Sequence, residues 1–208
     1  MNSEVPIELK KSQLAATTEM LARVFQEGMF YKAVIPDELE RKRILPIVFK
    51  FRLKLCINYG KVFIDSPNLH GVLNVFSPGN TKLTMWKFIR SGILSTLRKV
   101  PREIFSRYKQ LADIFTESHE TLAPFPHYYI NALGVDSPYQ GKGVGGKLMR
   151  FVIQKADDEG FPCYLETQEP VNVSIYKHLG FKVAEENTLP IINIKNWIMI
   201  HHPEKGKY

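Results

Sequence analysis

The residues best suited to chemistry in this chain of 208 residues sit in one short run, Gln140-Gly141-Lys142-Gly143-Val144-Gly145-Gly146. It follows an apolar stretch, 127–135 (His-Tyr-Tyr-Ile-Asn-Ala-Leu-Gly-Val), and the connector Asp136-Ser137-Pro138-Tyr139. Val144, Leu148, Phe151, Val152 and Ala156 then recur at helical spacing. Glycines remove the side chains that block a ligand's approach. The first amides of a helix have no intrahelical partner, and the helix dipole adds positive potential, so the run is suited to a phosphate or pyrophosphate. Glycines serving only tight turning and packing are the competing reading.

Two phosphate ligands fit the glycines. Gly141, Gly143 and Gly146 satisfy G-x-G-x-x-G, and Glu166 ends the next predicted strand, as in a dinucleotide-binding oxidoreductase. Against that reading, five residues separate Val135 from the first glycine, and a fingerprint opening at residue 127 leaves too little chain for a doubly wound sheet. The Asn-x-x-x-Tyr pair that follows has no purpose in hydride transfer.

The elements that must position this run follow from periodicity. Val5–Leu9 predicts a short strand and Ser12–Gln26 a helix ended by Gly28; a second helix runs from Pro36 to about Leu55, kinked or divided at Pro46. Lys61–Asp65 and Gly71–Phe76 form an antiparallel pair across Ser66-Pro67-Asn68, and Leu83–Thr121 is helical with a break at Pro101. After the strand 127–135 and the helix ending at Gly160 come a strand at 161–166, a helix at 172–179, and strands at 181–184 and 197–201. These amount to one α+β domain, with residues 1–126 supplying the early helices and strands and residues 127–202 the core around the glycine run.

Composition narrows the classes. A hydrophobic share of 44% and a charged share of 24% are those of a globular protein. No stretch has the ~20 apolar residues of a membrane span. Met1–Lys10 lacks the apolar segment of a secretory signal, so a cytoplasmic location is expected. Cys56 and Cys163 lie among apolar residues without a spacing motif, and the six histidines lack ligand spacing, so reduced core thiols and no metal are expected. The basic excess is local: segment 82–109 carries +7, the whole formal net charge.

Three motifs carry a resemblance. Gln140-x-x-Gly143-x-Gly145 resembles the Q/R-x-x-G-x-G/A pyrophosphate loop of the GCN5-related N-acetyltransferases (GNATs), and Asn172-Val-Ser-Ile-Tyr176 with Leu179-Gly180-Phe181 resembles that superfamily's N-x-x-x-Y and L-G-F pattern. The run Tyr164-Leu165-Glu166-Thr167 through Phe181, with Trp197-Ile198-Met199, looks particularly like puromycin N-acetyltransferase and its relatives. The likeness covers about residues 127–202. It implies a GNAT fold: a central, twisted, mixed but mostly antiparallel sheet, splayed at the cofactor strand and flanked by helices. It also implies an enzyme that moves the acetyl group of acetyl-CoA to an amine by direct attack through a tetrahedral intermediate.

The resemblance assigns roles. Backbone amides of Gln140, Gly141, Lys142, Gly143, Val144, Gly145 and Gly146 would hold the pyrophosphate, with Lys142 and Lys147 adding charge. Leu133 and Val135 would pair with the pantetheine arm, and Gly134 would mark a bulge at the splay. Tyr176 matches the general acid for the leaving thiolate, with Asn172 one turn earlier positioning the cofactor; packing of the Tyr176 ring against the sheet is the bland alternative. Residues 128–135 offer no carboxylate, so Glu166 is the first candidate for the base; action through water, substrate binding, or a surface or N-cap role stays open.

The acceptor is not inherited from the resemblance. A small primary amine is expected from the apolar, aromatic-rich early helices, and homo-oligomers are compatible with the sequence. A non-catalytic CoA-binding sensor is the main alternative. In 82–109, Trp86, Phe88, Ile89, Ile93, Leu94 and Leu97 interleave with Lys and Arg, a pattern suited to an anionic membrane surface or nucleic acid. No second motif of either kind accompanies it, so the expected role is a helix whose apolar face covers the sheet or lines the acceptor pocket, with no nucleic-acid partner.

Overall fold

A computed structural model describes residues 5–203; Met1–Glu4, within the stretch read for a leader, lie outside them. The chain order is β1 (Ile7–Glu8), α1 (Leu14–Phe25), α2 (Met29–Val34), α3 (Glu38–Tyr59), β2 (Lys61–Ile64), β3 (Gly71–Phe76), α4 (Met85–Ser91), α5 (Ile93–Leu97), α6 (Arg102–Leu122), β4 (Tyr128–Val135), α7 (Val144–Glu159), β5 (Cys163–Thr167), α8 (Pro170–His178), β6 (Lys182–Leu189) and β7 (Ile194–His201). The seven strands make one mixed sheet in the order β1-β2-β3-β4-β5-β7-β6, antiparallel at every seam except β4–β5.

Strand alternation divides the core into two layers. On one face Leu73, Val75, Ile130, Cys163, Leu165 and Met199 pack with Leu148, Val152 and Ala156 of α7 and Tyr176 of α8. On the other face Val72 and Phe76 pack with Met20 and Leu21 of α1 and Leu45, Phe49 and Leu53 of α3. The helices α2, α3 and α6 close that side through Val34, Ile35, Ile44, Ile104 and Leu111. Cys56 and Cys163 are free and buried.

Several sequence expectations are corrected. Pro46 does not divide α3, a continuous 22-residue helix capped by Asp37, whose side chain accepts from the Glu40 amide. Ile44, Leu45, Phe49 and Leu53 are fully buried around the proline, so packing outweighs its ~3 kcal/mol penalty. Gly28 ends α1 but also opens the unforeseen α2, whose first amide, Met29 N–H, donates to Glu169 at 2.6 Å. Strands β6 and β7 extend well beyond the short runs expected. Segment 82–100 breaks into α4 and α5 at Gly92 (φ +97); Leu83, Phe88 and Val100 pack inward, but Met85, Trp86, Ile89, Leu94 and Leu97 point outward instead of covering the sheet.

The splay is present, but its bulge is not at Gly134. Along β3–β4, Asn74 faces Ala132 and Val75 faces Ile130, so Asn131 is the inserted residue. Gly134 stays in register with Val72, and its missing side chain serves packing: a Cβ there would stand 2.6 Å from Leu21 Cδ2 of α1. Beside the bulge, β4 and β5 pair only over Tyr128–Ile130 and Cys163–Leu165. Beyond those three pairs the strands diverge, and a slot opens toward the C-terminal end of both.

Candidate functional site

The glycine run lies at the mouth of that slot. The Asp136 amide donates to His70 O of the β3 side at 2.8 Å, so alternation turns the peptide groups of Leu133 and Val135 toward the slot. Gln140 Nε2 donates to Val135 O at 2.9 Å and ties the loop to the strand end. Gly141 (φ +72) and Gly143 (φ +82) hold left-handed backbone, and nothing lies within 4 Å of where either Cβ would be, so glycine is required there by conformation and not by crowding. The Gln140 amide, expected to join the pyrophosphate set, instead donates to Ser137 O at 3.3 Å and closes a turn, whereas the amides of Gly141 through Gly146 donate to no backbone carbonyl among the described residues. Six adjacent N–H groups at the start of α7 are therefore free for an anion.

The nearby cations are unequal. Lys142 is exposed, its Nζ 5.5 Å from the centre of the Tyr139 ring, whereas Lys147 Nζ turns back to Asp65 O at 3.2 Å. Sequence reasoning missed Arg150. Its guanidinium lies 3.2 Å from the position of a Gly146 Cβ, one turn into α7. Together with Gly146, Ser174, Ile175, His178 and Leu179 it lines a groove of about 400 Å³ between α7 and α8. The i, i+4 spacing from Gly146 was the available signal.

Tyr176 and Glu166 occupy opposite faces of the sheet. Tyr176 is 8% exposed in the α7–α8 layer, its ring 5.9 Å from Phe181, and its hydroxyl has no hydrogen-bond partner among the described residues. Burial raises its pKa to about 12, so it stays a proton donor at any physiological pH. Asn172 is tethered to the end of β5, its Nδ2 donating to Thr167 Oγ1 at 3.4 Å.

Glu166 faces the α1–α3–α6 layer. Tyr164 Oη donates to its Oε1 at 2.6 Å and Tyr129 Oη approaches Oε2 at 3.5 Å. Burial raises the carboxyl pKa to about 7; the two tyrosines and, more weakly, the Arg52 charge pull it back down. These contacts make Glu166 a half-buried carboxylate held by tyrosines and not a helix cap. A carboxyl poised near neutrality suits proton abstraction.

The supporting cluster was not visible in the sequence. Arg52 of α3 donates to Tyr31 Oη at 2.8 Å and, from Nη2, to Asn131 O at 2.8 Å and Asn131 Oδ1 at 3.1 Å. The guanidinium thus grips the bulge residue that opens the sheet. Buried polar groups on this face lack a partner among the described residues, among them both amide atoms of Asn74, whose register partner adjoins the bulge, and the hydroxyl of Tyr108, close to Tyr31 and Arg52. Buried polar atoms left unpaired are rare and mark places where a ligand or water completes the set.

No cluster of three or more His, Cys, Asp or Glu suited to a metal occurs among the described residues, and no helix among them is long and apolar enough to cross a membrane. Residues 108–181 match the model of the Acetyltransferase (GNAT) family. A Schizosaccharomyces pombe protein described as an uncharacterized N-acetyltransferase is 27% identical over 95% of this chain and 82% of its own length. Among solved structures, a Corynebacterium glutamicum protein described as histone acetyltransferase HPA2 and related acetyltransferase superposes with a TM-score of 0.68 at 16% identity, over 98% of each chain. Arylalkylamine N-acetyltransferase 2 of Aedes aegypti gives 0.64 at 19% identity, over 95% of this chain and 97% of its own.

Proposed function

We propose that this chain, a member of the GNAT acetyltransferase superfamily, moves an acetyl group from acetyl-CoA to the amine of a small molecule by direct attack in a ternary complex. One observation carries the proposal: six unpaired amides at Gly141–Gly146 open beside a slot with a near-neutral carboxyl on one face and an unpaired tyrosine hydroxyl on the other.

In this reading the amides of Gly141–Gly146 hold the pyrophosphate, with Lys142 and Arg150 adding charge. Leu133 and Val135 pair through their peptide groups with the pantetheine arm, which takes the place of a missing strand. The Val135 carbonyl is already held by Gln140, so its N–H is the free group, and that amide faces the thioester oxygen as charge develops there. Glu166 takes the proton of the attacking amine from the α1–α3–α6 side. Tyr176 gives its proton to the departing thiolate from the α7–α8 side, with Asn172 holding the arm in line. Separate groups suit the two transfers, because in the tetrahedral intermediate the amine nitrogen and the sulfur are distinct substituents of the former carbonyl carbon, one losing a proton and the other gaining one.

The acceptor lies against Tyr31, Tyr108, Asn74 and Arg52. Their aromatic surface and unpaired polar atoms fit a small amine with an apolar body, the kind of acceptor that the name of the Aedes neighbour states for that protein. The test is thiol release from acetyl-CoA across a panel of primary amines, with product masses. The expected result is amine-dependent release and acetylated product. Tight acetyl-CoA binding without turnover on any amine would make the chain a sensor module; absence of binding would refute the site.

A further inference from the structure

Segment 82–100 packs Leu83, Phe88 and Val100 against the protein but leaves five other large apolar side chains on the outside. The sides of α4 and α5 that face the protein carry Phe88, Ser91 and Thr96: Phe88 meets Phe51 with ring centres 6.0 Å apart, and Ser91 Oγ accepts from Asn58 Nδ2 at 3.2 Å. The outward sides carry Met85 and Trp86, each 65% exposed, Leu94 at 56%, Ile89 at 39% and Leu97 at 36%. A single exposed leucine needs no explanation, but five large apolar side chains on two consecutive short helices do.

The charge around them has one sign. From Lys82 to Arg102 the chain has six basic residues and no acid. Lys87 is turned back to the carbonyls of Asn80 and Lys82, and Lys82 meets Glu120 only at 3.7 Å. Arg90, Arg98 and Lys99 are exposed, and their side chains form no ion pair with a described residue.

We propose that this patch docks the protein on an anionic phospholipid bilayer, with Trp86, Met85 and Leu94 entering the headgroup boundary and Arg90, Arg98 and Lys99 meeting lipid phosphates and carboxylates. Apolar anchors interleaved with basic residues are the composition that such an interface selects. A second copy fits poorly, because a two-fold contact would press like charges together. Nucleic acid fits poorly too, because among the five outward side chains only Trp86 has a ring on which a base could stack. The patch also lies away from the glycine loop. It adjoins Tyr59 at the end of α3, next to Lys61, which pairs with Val75 at the end of the sheet opposite Val135. Adsorption through it leaves the loop facing water.

Flotation of the full chain with vesicles of phosphatidylcholine, with and without phosphatidylserine, tests the proposal. Binding is expected only with phosphatidylserine, and it falls at least ~10-fold as salt rises from about 0.1 to about 0.5 M. Each of Arg90→Gln, Arg98→Gln and Lys99→Gln lowers it roughly fivefold, and Trp86→Ser with Leu94→Ser lowers it ~10-fold or more. All five side chains are exposed, so the thermal midpoint serves as a check that the variants fold. Trp197, the other tryptophan, is buried, so a blue shift of emission on adding vesicles reports Trp86. Failure to bind, equal binding to neutral vesicles, or binding unaffected by the Trp86–Leu94 pair overturns the proposal. So does salt-dependent capture of an oligonucleotide, of an acidic protein or of further copies of this chain while vesicles are ignored.

Discussion

Replacing Glu166 by glutamine separates the energetic cost of a poised carboxylate from its chemistry. In the unfolded chain this carboxyl releases its proton near 4.5; in the folded chain it holds the proton to about 7. Between those values the folded state binds more protons, so stability falls as pH rises through the window and levels off above it. The gap of some 2.5 pH units corresponds to about 3 kcal/mol. Glutamine keeps the shape, still accepts from Tyr164 through its oxygen, and carries no charge at any pH. Glu166→Gln is therefore expected to match the parent near pH 4 and to exceed it by about 3 kcal/mol at pH 8, a rise in melting temperature of roughly 10 °C for a chain of this size. Urea unfolding of both proteins at the two pH values measures the difference. Turnover with a good amine should fall ~10²-fold or more, and the parent's kcat/KM should climb with pH to a plateau above about 7. A stability difference that is the same at both pH values would refute the reasoning, because it would mean that the carboxyl is not held protonated by the fold.

Tyr176→Phe should lower kcat ~10²-fold or more while the dissociation constant of acetyl-CoA, measured by calorimetry, changes little; because burial holds this phenol near 12, the parent should show no alkaline fall from it below about pH 11. Gly134→Ala should destabilise by about 1–3 kcal/mol in urea unfolding through the clash with Leu21, and Leu21→Ala in the same chain should recover part of that loss. Arg52→Met should move the Glu166 limb of the pH–rate profile to higher pH, since a neighbouring cation is lost, and cost about 3 kcal/mol by leaving Asn131 and Tyr31 unpaired.

The parts of this molecule legible from sequence are those written in consecutive residues. The glycines before α7, the Asn172–Tyr176 pair one turn apart, the apolar spacing of α7 and the β2–β3 hairpin are all local patterns. What stayed hidden depends on partners far along the chain. The start of α2 is secured by Glu169, 140 residues away, so nothing near Gly28 announces a helix. Glycine is the usual sign of a bulge and points to Gly134; the inserted residue is Asn131, held by an arginine from α3, and Gly134 is small because Leu21 presses on it. A proline at position 46 ordinarily breaks a helix, and the buried side chains around it override that effect. Segment 82–100 differs in another way: the ordinary rule turns its apolar residues inward, and five of them, from Met85 to Leu97, face out.

The three-pair seam between β4 and β5 has a consequence for how the protein breathes. Among the described residues it is the single parallel junction of the sheet, and the only strand pairing that joins the half containing β1–β4 to the half containing β5–β7. With so few rungs across it, the amide protons of Leu133 and Val135 face an open gap and should exchange with deuterium far sooner than those of the neighbouring β3–β4 ladder. A molecule that fills the gap supplies the missing rungs. Its arrival would be recorded as slowed exchange on both lips of the opening, and its departure as their release.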